Sequence, residues 1–180
     1  MMDEKNTVFV AIDYQERLVP VMNENERLVS SSVQILEGLN MIGVPGLATT
    51  QYAKGLGDIV PEIKNALYDT PVYDKNTFSV MRNAEFKEAL AELADGKDVI
   101  AIGMETHICL EQSVLDMIDE GYRVYVPADC VSSRRSFDTE VALKRLADAG
   151  CIITSGEAIL FELIKGAKHP AFKDISKLVK

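Results

Sequence analysis

Cys109 lies six residues past Gly103 and stands at the head of a helix-like segment. That placement can activate a thiol. A free thiol has a pKa of about 8.5 and is mostly protonated at neutral pH. A helix N-terminus and a nearby cation both favour the thiolate and lower that value. Lys75 is the candidate cation. Asp13, directly after an apolar run, is the candidate base that takes the thiol proton and later gives it to a leaving group. Backbone N–H groups in the turn before the helix can hold a developing oxyanion. Nucleophile, cation and base together describe attack on a carbonyl carbon.

Each residue also has a plainer reading. An Asp after a strand is frequently a turn or cap residue, a Lys in a loop is usually solvated, and a Cys in a helix is usually a small buried apolar group. Cys130 and Cys151 lie in or beside strands and read as packing residues; His107 reads as a surface or supporting group. Rival motifs are missing. Asp13-Tyr14-Gln15 has no second Asp for a DxD-type phosphatase, and KGLG is neither a P-loop nor a dinucleotide fingerprint. No G-x-S-x-G elbow occurs. Three scattered cysteines and two histidines, His107 and His169, build neither a disulfide framework nor a structural zinc site.

The elements that must position these residues alternate along the chain. Val8–Ile12, Val44–Thr50, Thr70–Tyr73, Asp98–Gly103, Arg123–Pro127 and Cys151–Thr154 read as strands. Between them, apolar residues recur at helical spacing: Leu28 to Ile42, a short helix opened by Pro61, Phe86 to Leu93, Leu110 to Ile118 ended by Gly121, and Thr139 to Ala149. The tail beyond Glu157 reads as helical with a break near His169-Pro170. The pattern predicts an α/β fold, a three-layer α/β/α sandwich around a mostly parallel, doubly wound (Rossmann-like) sheet. Ligands of such sheets bind beyond the carboxyl ends of the strands, where Asp13, Lys75, Cys109 and Asp129 fall.

Composition narrows the class. The 180 residues suit a single domain spanning 1–180, and 47% hydrophobic with 26% charged residues is an ordinary globular mix. A net charge of −9 and a pI of 4.8 disfavour nucleic acid and anionic membranes as partners. No apolar run spans a bilayer, and the start MMDEKN lacks a signal-peptide centre, so a cytoplasmic protein is expected.

Three segments, in order, resemble the isochorismatase-like cysteine hydrolases: VFVAIDYQ with Asp13, DKNTFSV with Lys75, and VIAIGMETHICLEQSVLDMIDEGYRVYVPADC with Cys109. The resemblance runs from about Val8 to Thr154, and its most specific part is G-x-x-T-x-x-C before a helix. TTQYAKGLGDIVPEI, with KNTFSV after it, looks closest to the isochorismatase domain-containing proteins. Nicotinamidases of the family carry a metal-binding Asp-x-His after the second strand; Thr49 to Asp58 holds no histidine, so no metal is expected. True isochorismatases do not use the cysteine, so Cys109 argues against that activity.

The resemblance implies an Asp13-Lys75-Cys109 triad, a thioester intermediate, a small amide or related carbonyl substrate, no cofactor and a homo-oligomer. It also implies a cis peptide at Met104–Glu105 and an oxyanion hole from the Glu105 and Cys109 N–H groups. Tyr14, Gln15, Tyr52, Phe78 and Phe137 are candidate pocket walls, with core packing an equal reading for the two phenylalanines. The rival functions are a partner-binding or scaffold protein of the same fold and a redox-responsive thiol protein.

Overall fold

The apolar runs become central strands covered on both faces. A computed structural model describes residues 1–94 and 98–180. Every residue of β1 (Thr7–Ile12) is buried. Val8, Val10 and Ile12 face one layer, and Phe9 and Ala11 face the other, so the strand needs apolar residues on both sides. The chain continues through α1 (Asn25–Ile42), β2 (Gly46–Gln51), α2 (Ala53–Leu56), α3 (Pro61–Leu67), β3 (Val72–Lys75), α4 (Ala84–Leu93) and β4 (Asp98–Met104). It then forms α5 (Glu111–Asp119), β5 (Arg123–Pro127), β6 (Val131–Ser132), α6 (Ser136–Asp148), β7 (Ile152–Thr154), α7 (Gly156–Ile164) and α8 (Phe172–Leu178).

The sheet runs β3-β2-β1-β4-β5-β7, and each of these pairs is parallel. One apolar layer joins α1, α3, α7 and α8 to the sheet through residues such as Ile35, Leu36, Ile63, Leu160 and Ile175. The opposite layer joins α4, α5 and α6 through Phe86, Leu90, Val114, Met117 and Leu146. The result is the expected three-layer α/β/α sandwich. Among the described residues, no helix is long and apolar enough to cross a membrane.

The strand order reverses at the middle of the sheet. β2 and β3 extend from one side of β1, whereas β4 and β5 extend from the other. The carboxyl ends of β1 and β4 therefore flank the crevice where connections diverge, the place such sheets bind ligands. The end of β4 also changes partner. Asp98–Ile100 pairs with β5, but Gly103 and Met104 pair with Val131 and Ser132 of β6. Gly103 makes a close approach possible, because a Cβ there would stand 2.1 Å from the Ile12 carbonyl oxygen, and its φ is +128°.

The boundaries differ from the sequence reading at two places that bear on the chemistry. β3 extends to Lys75, which pairs with Gln51 of β2, so the lysine ends the strand and does not follow it. A five-residue π-type turn, Thr106–Leu110, precedes α5, so Cys109 lies in a wide turn and not in the first turn of a regular helix.

Candidate active site

Asp13 ends β1 with φ +59°, a left-handed conformation that Asp tolerates better than most residues. Its backbone N–H donates to the Thr49 carbonyl at 3.1 Å, which fixes the bend against β2. The carboxylate is fully buried and held at both oxygens. Thr49 Oγ1 donates to Oδ1 at 2.7 Å, and Lys75 Nζ donates to Oδ2 at 2.6 Å. Lys75 is equally buried, with no side-chain exposure on either partner. Its other acceptors are Gln51 Oε1 at 2.8 Å and the Thr77 carbonyl at 3.2 Å. Three acceptors match the three ammonium protons. A buried charge is tolerated when it is paired and fully hydrogen-bonded, and this pair meets both conditions.

Cys109 lies in the turn that follows β4. It belongs to the apolar layer of α4, α5 and α6 and is 7% exposed. Its thiol is pushed up to about 12, first by burial and then by the charge of Asp13, against a downward pull from Lys75. The Glu105 charge adds to the upward push. This corrects the expectation of an acidic thiol. Burial and the neighbouring carboxylate outweigh Lys75 and the turn, so the proton rests on sulfur.

The turn itself is braced. The Met104–Glu105 peptide is cis. The Glu105 carbonyl accepts from the N–H groups of Ile108 (3.0 Å) and Leu110 (3.2 Å), with Cys109 between them. Ser113 Oγ donates to the Cys109 carbonyl and accepts from Val80 N at 3.0 Å. His107 Nδ1 lies 2.8 Å from Ser133 Oγ. Arg134 holds the Glu105 carboxylate through its backbone N (3.2 Å) and Nε (2.9 Å). The Thr106 hydroxyl is buried with no protein partner.

The remaining sequence candidates fall into two groups. Tyr14 is 1% exposed and packs in the α1 layer, opposite to that of Cys109. Its hydroxyl meets Ser32 Oγ at 2.7 Å and donates to the Cys130 carbonyl at 2.8 Å, so it does not wall the crevice. Gln15 is buried and clasps the end of β2, donating to the Gln51 and Gly57 carbonyls and accepting from Gln51 N. It supports Gln51, which in turn holds Lys75. Tyr52, Phe78 and Phe137 are 51%, 54% and 69% exposed, which removes the core-packing reading of the two phenylalanines. Asp129 accepts from Gly156 N at 2.9 Å and so ties down the start of α7. Thr49, Gln51, Ser113 and Arg134 were not singled out in the sequence. The strand-end rule applied to β2 points to the first two; the others emerge only from the packing of neighbouring turns.

The isochorismatase domain model matches residues 7–158. Isochorismatase domain-containing protein 1 of Danio rerio is 37% identical over 174 residues, covering 97% of this chain and 61% of that protein. The chain thus spans about three fifths of the length of that relative. A Caenorhabditis elegans structure described as MAR1 ribonuclease superposes with a TM-score of 0.92 at 32% identity, covering 99% of this chain and 91% of that one. The Escherichia coli YcaC gene product, described as an octameric hydrolase of unknown specificity, shares the fold at 21% identity. Its TM-score is 0.88, with 99% of this chain and 94% of that chain covered.

Proposed function

The chain belongs to the isochorismatase-like hydrolase family, and from that premise we propose that it is a cysteine hydrolase of small amides or related carbonyl compounds, working through a thioester on Cys109. One observation carries the reading. A carboxylate fixed by a buried lysine, Asp13 with Lys75 at 2.6 Å, stands at the end of β1 at the switch point of the sheet, next to the end of β4 from which the Cys109 turn departs.

Asp13 accepts the thiol proton as sulfur attacks the carbonyl carbon. The resting thiol supports this coupled, base-assisted attack over a preformed thiolate. The carbonyl electrons move to oxygen, and the Glu105 and Cys109 N–H groups receive the oxyanion. When the tetrahedral intermediate collapses, the C–N bond breaks and Asp13 hands its proton to the leaving nitrogen. Water then attacks the thioester and gives a proton to Asp13. The acid departs as the C–S bond breaks, and the proton returns to sulfur. Lys75 holds Asp13 in place throughout, through the 2.6 Å contact of its Nζ with Oδ2. No step draws on a cofactor or metal.

Tyr52, Phe78 and Phe137 are among the exposed apolar groups available to substrate or to a second copy of the chain. They support a homo-oligomer, which sedimentation velocity checks directly. A ribonuclease activity, the description given to the C. elegans neighbour, has the net charge of −9 against it.

The test is an ammonia-release screen of small primary amides, with intact-mass detection of the acyl-enzyme. Turnover and adduct should both vanish in Cys109→Ala. Turnover that survives this change would sink the reading, and RNA cleavage lost in the same variant would move the substrate to another class.

A further inference from the structure

A groove of about 920 Å³ follows the outside of α1, between that helix, the Val19-Pro20 turn, α3 and the end of α8. It lies on the α1 side of the sheet, whereas Cys109 belongs to the opposite layer. Its lining follows from the pattern of α1. The stripe that α1 turns to the sheet is Leu28, Ser32, Ile35, Leu36 and Leu39, all buried. Val29 and Val33 stand one position on from Leu28 and Ser32, at the flank where an amphipathic helix turns polar. Both are only partly buried, and β-branched residues are poor helix formers, so neither solvent nor helix propensity favours valine there. Val60, just before α3, and Leu178 of α8 extend the apolar lining.

The charged residues that line the groove are Glu26, Glu37 and Glu62, and no lining residue is basic. Nearby cations are committed elsewhere, Arg27 to Glu24 and Lys64 to Asp58. Lys177 and Lys180 neighbour Leu178 in sequence without lining the groove. Among the described residues, none of the three carboxylates has an ion-pair partner. Glu26 and Glu37 are eleven residues apart on α1, about three turns or roughly 16 Å, so negative charge is spread along the groove. Glu62 belongs to α3, the other wall.

We propose that this groove docks an amphipathic helical segment of a partner protein. The apolar face of the segment covers Val29 and Val33, and its lysines or arginines meet the three carboxylates. A segment of about three turns matches the span from Glu26 to Glu37. A second copy of the chain fits less well, because a two-fold contact sets the groove against itself and brings carboxylate to carboxylate. The net charge of −9 attracts any basic peptide, so fit has to be read apart from charge.

The probe is a dye-labelled peptide of about 18 leucines and lysines, with leucine at the i, i+3, i+4, i+7 spacing of a helix face. Its control is a scrambled peptide of the same composition. Fluorescence anisotropy at about 0.15 M salt reads both affinities. The patterned peptide should bind the parent chain at least about tenfold tighter than the scrambled one. Val33→Asp should remove that preference, although its added negative charge attracts lysine. The triple change Glu26→Gln, Glu37→Gln and Glu62→Gln should weaken the patterned peptide by about tenfold, three surface ion pairs together. Thermal melts check that each variant is folded, and the triple variant carries the test if Val33→Asp does not fold. No binding at about 100 μM, equal affinity for the two peptides, or a preference that survives the changes overturns the docking site. Folded Val33→Asp that sediments as a smaller species than the parent assigns the groove to a second copy, and overturns the partner reading as well.

Discussion

Cys109 and Cys151 stand at opposite edges of the sheet, and both thiols are pushed up to about 12. Their reasons differ. Cys151 precedes β7 at the amino edge and is raised by burial alone; its sulfur donates to the Val124 carbonyl at 3.4 Å. Cys109 is raised by burial and by Asp13, with Lys75 pulling the other way. A similar acidity thus has two meanings. At the amino edge the proton has nowhere to go. At the carboxyl edge the group that holds it on sulfur is also the group able to accept it. The presence of a base, more than the displacement of the thiol, separates a candidate nucleophile from a packing residue.

The widest break between the edges is in turnover. Cys109→Ala should remove it to the detection limit, while Cys151→Ala keeps it; an amide-release assay on both variants reads the contrast directly. Asp13→Asn comes next, lowering turnover by roughly 10²–10⁴-fold, the usual contribution of a general base. In stability, Lys75→Met leaves the Asp13 carboxylate buried without its cation and should cost about 3–5 kcal/mol in denaturant melts. The double change Asp13→Asn with Lys75→Met should recover much of that, because the uncompensated charge is gone.

A smaller contrast lies in the glycines. Gly103→Ala must push a Cβ into the Ile12 carbonyl and should cost about 2 kcal/mol or more. Gly121→Ala, at the amino edge, has open space around it and meets only the backbone strain of φ +89°, about 1 kcal/mol. The last contrast is alkaline. Both thiols are more protonated folded than unfolded, so their contribution is intact below about pH 9 and is lost as pH rises toward about 12. Melts across that range should show Cys151→Ala losing less stability than the parent.

Most of the fold was legible because strands buried on both faces leave unbroken apolar runs, and Arg123–Pro127 is found with the bounds read from sequence. The places of Asp13 at the end of β1 and of Lys75 at the end of β3 were legible because both adjoin strand-like runs. What escaped depended on direction and distance. Tyr14 adjoins Asp13 in sequence, yet its ring packs in the α1 layer while Cys109 belongs to the opposite one. Gln51 and Thr49 gain their roles from register with Lys75 and Ile12, which no single segment records. The direction of the Cys109 shift was missed because residue types gave the cation and the turn, whereas burial and the closeness of Asp13 decide it.

The most direct test of Asp13 as the partner of Cys109 is the pH profile of iodoacetamide labelling at Cys109 and Cys151, in the parent chain and in Asp13→Asn. With the carboxylate gone, the Cys109 profile should move to lower pH, even as turnover falls, and the Cys151 profile should stay in place. A Cys109 profile that does not move, or moves together with that of Cys151, would contradict the account.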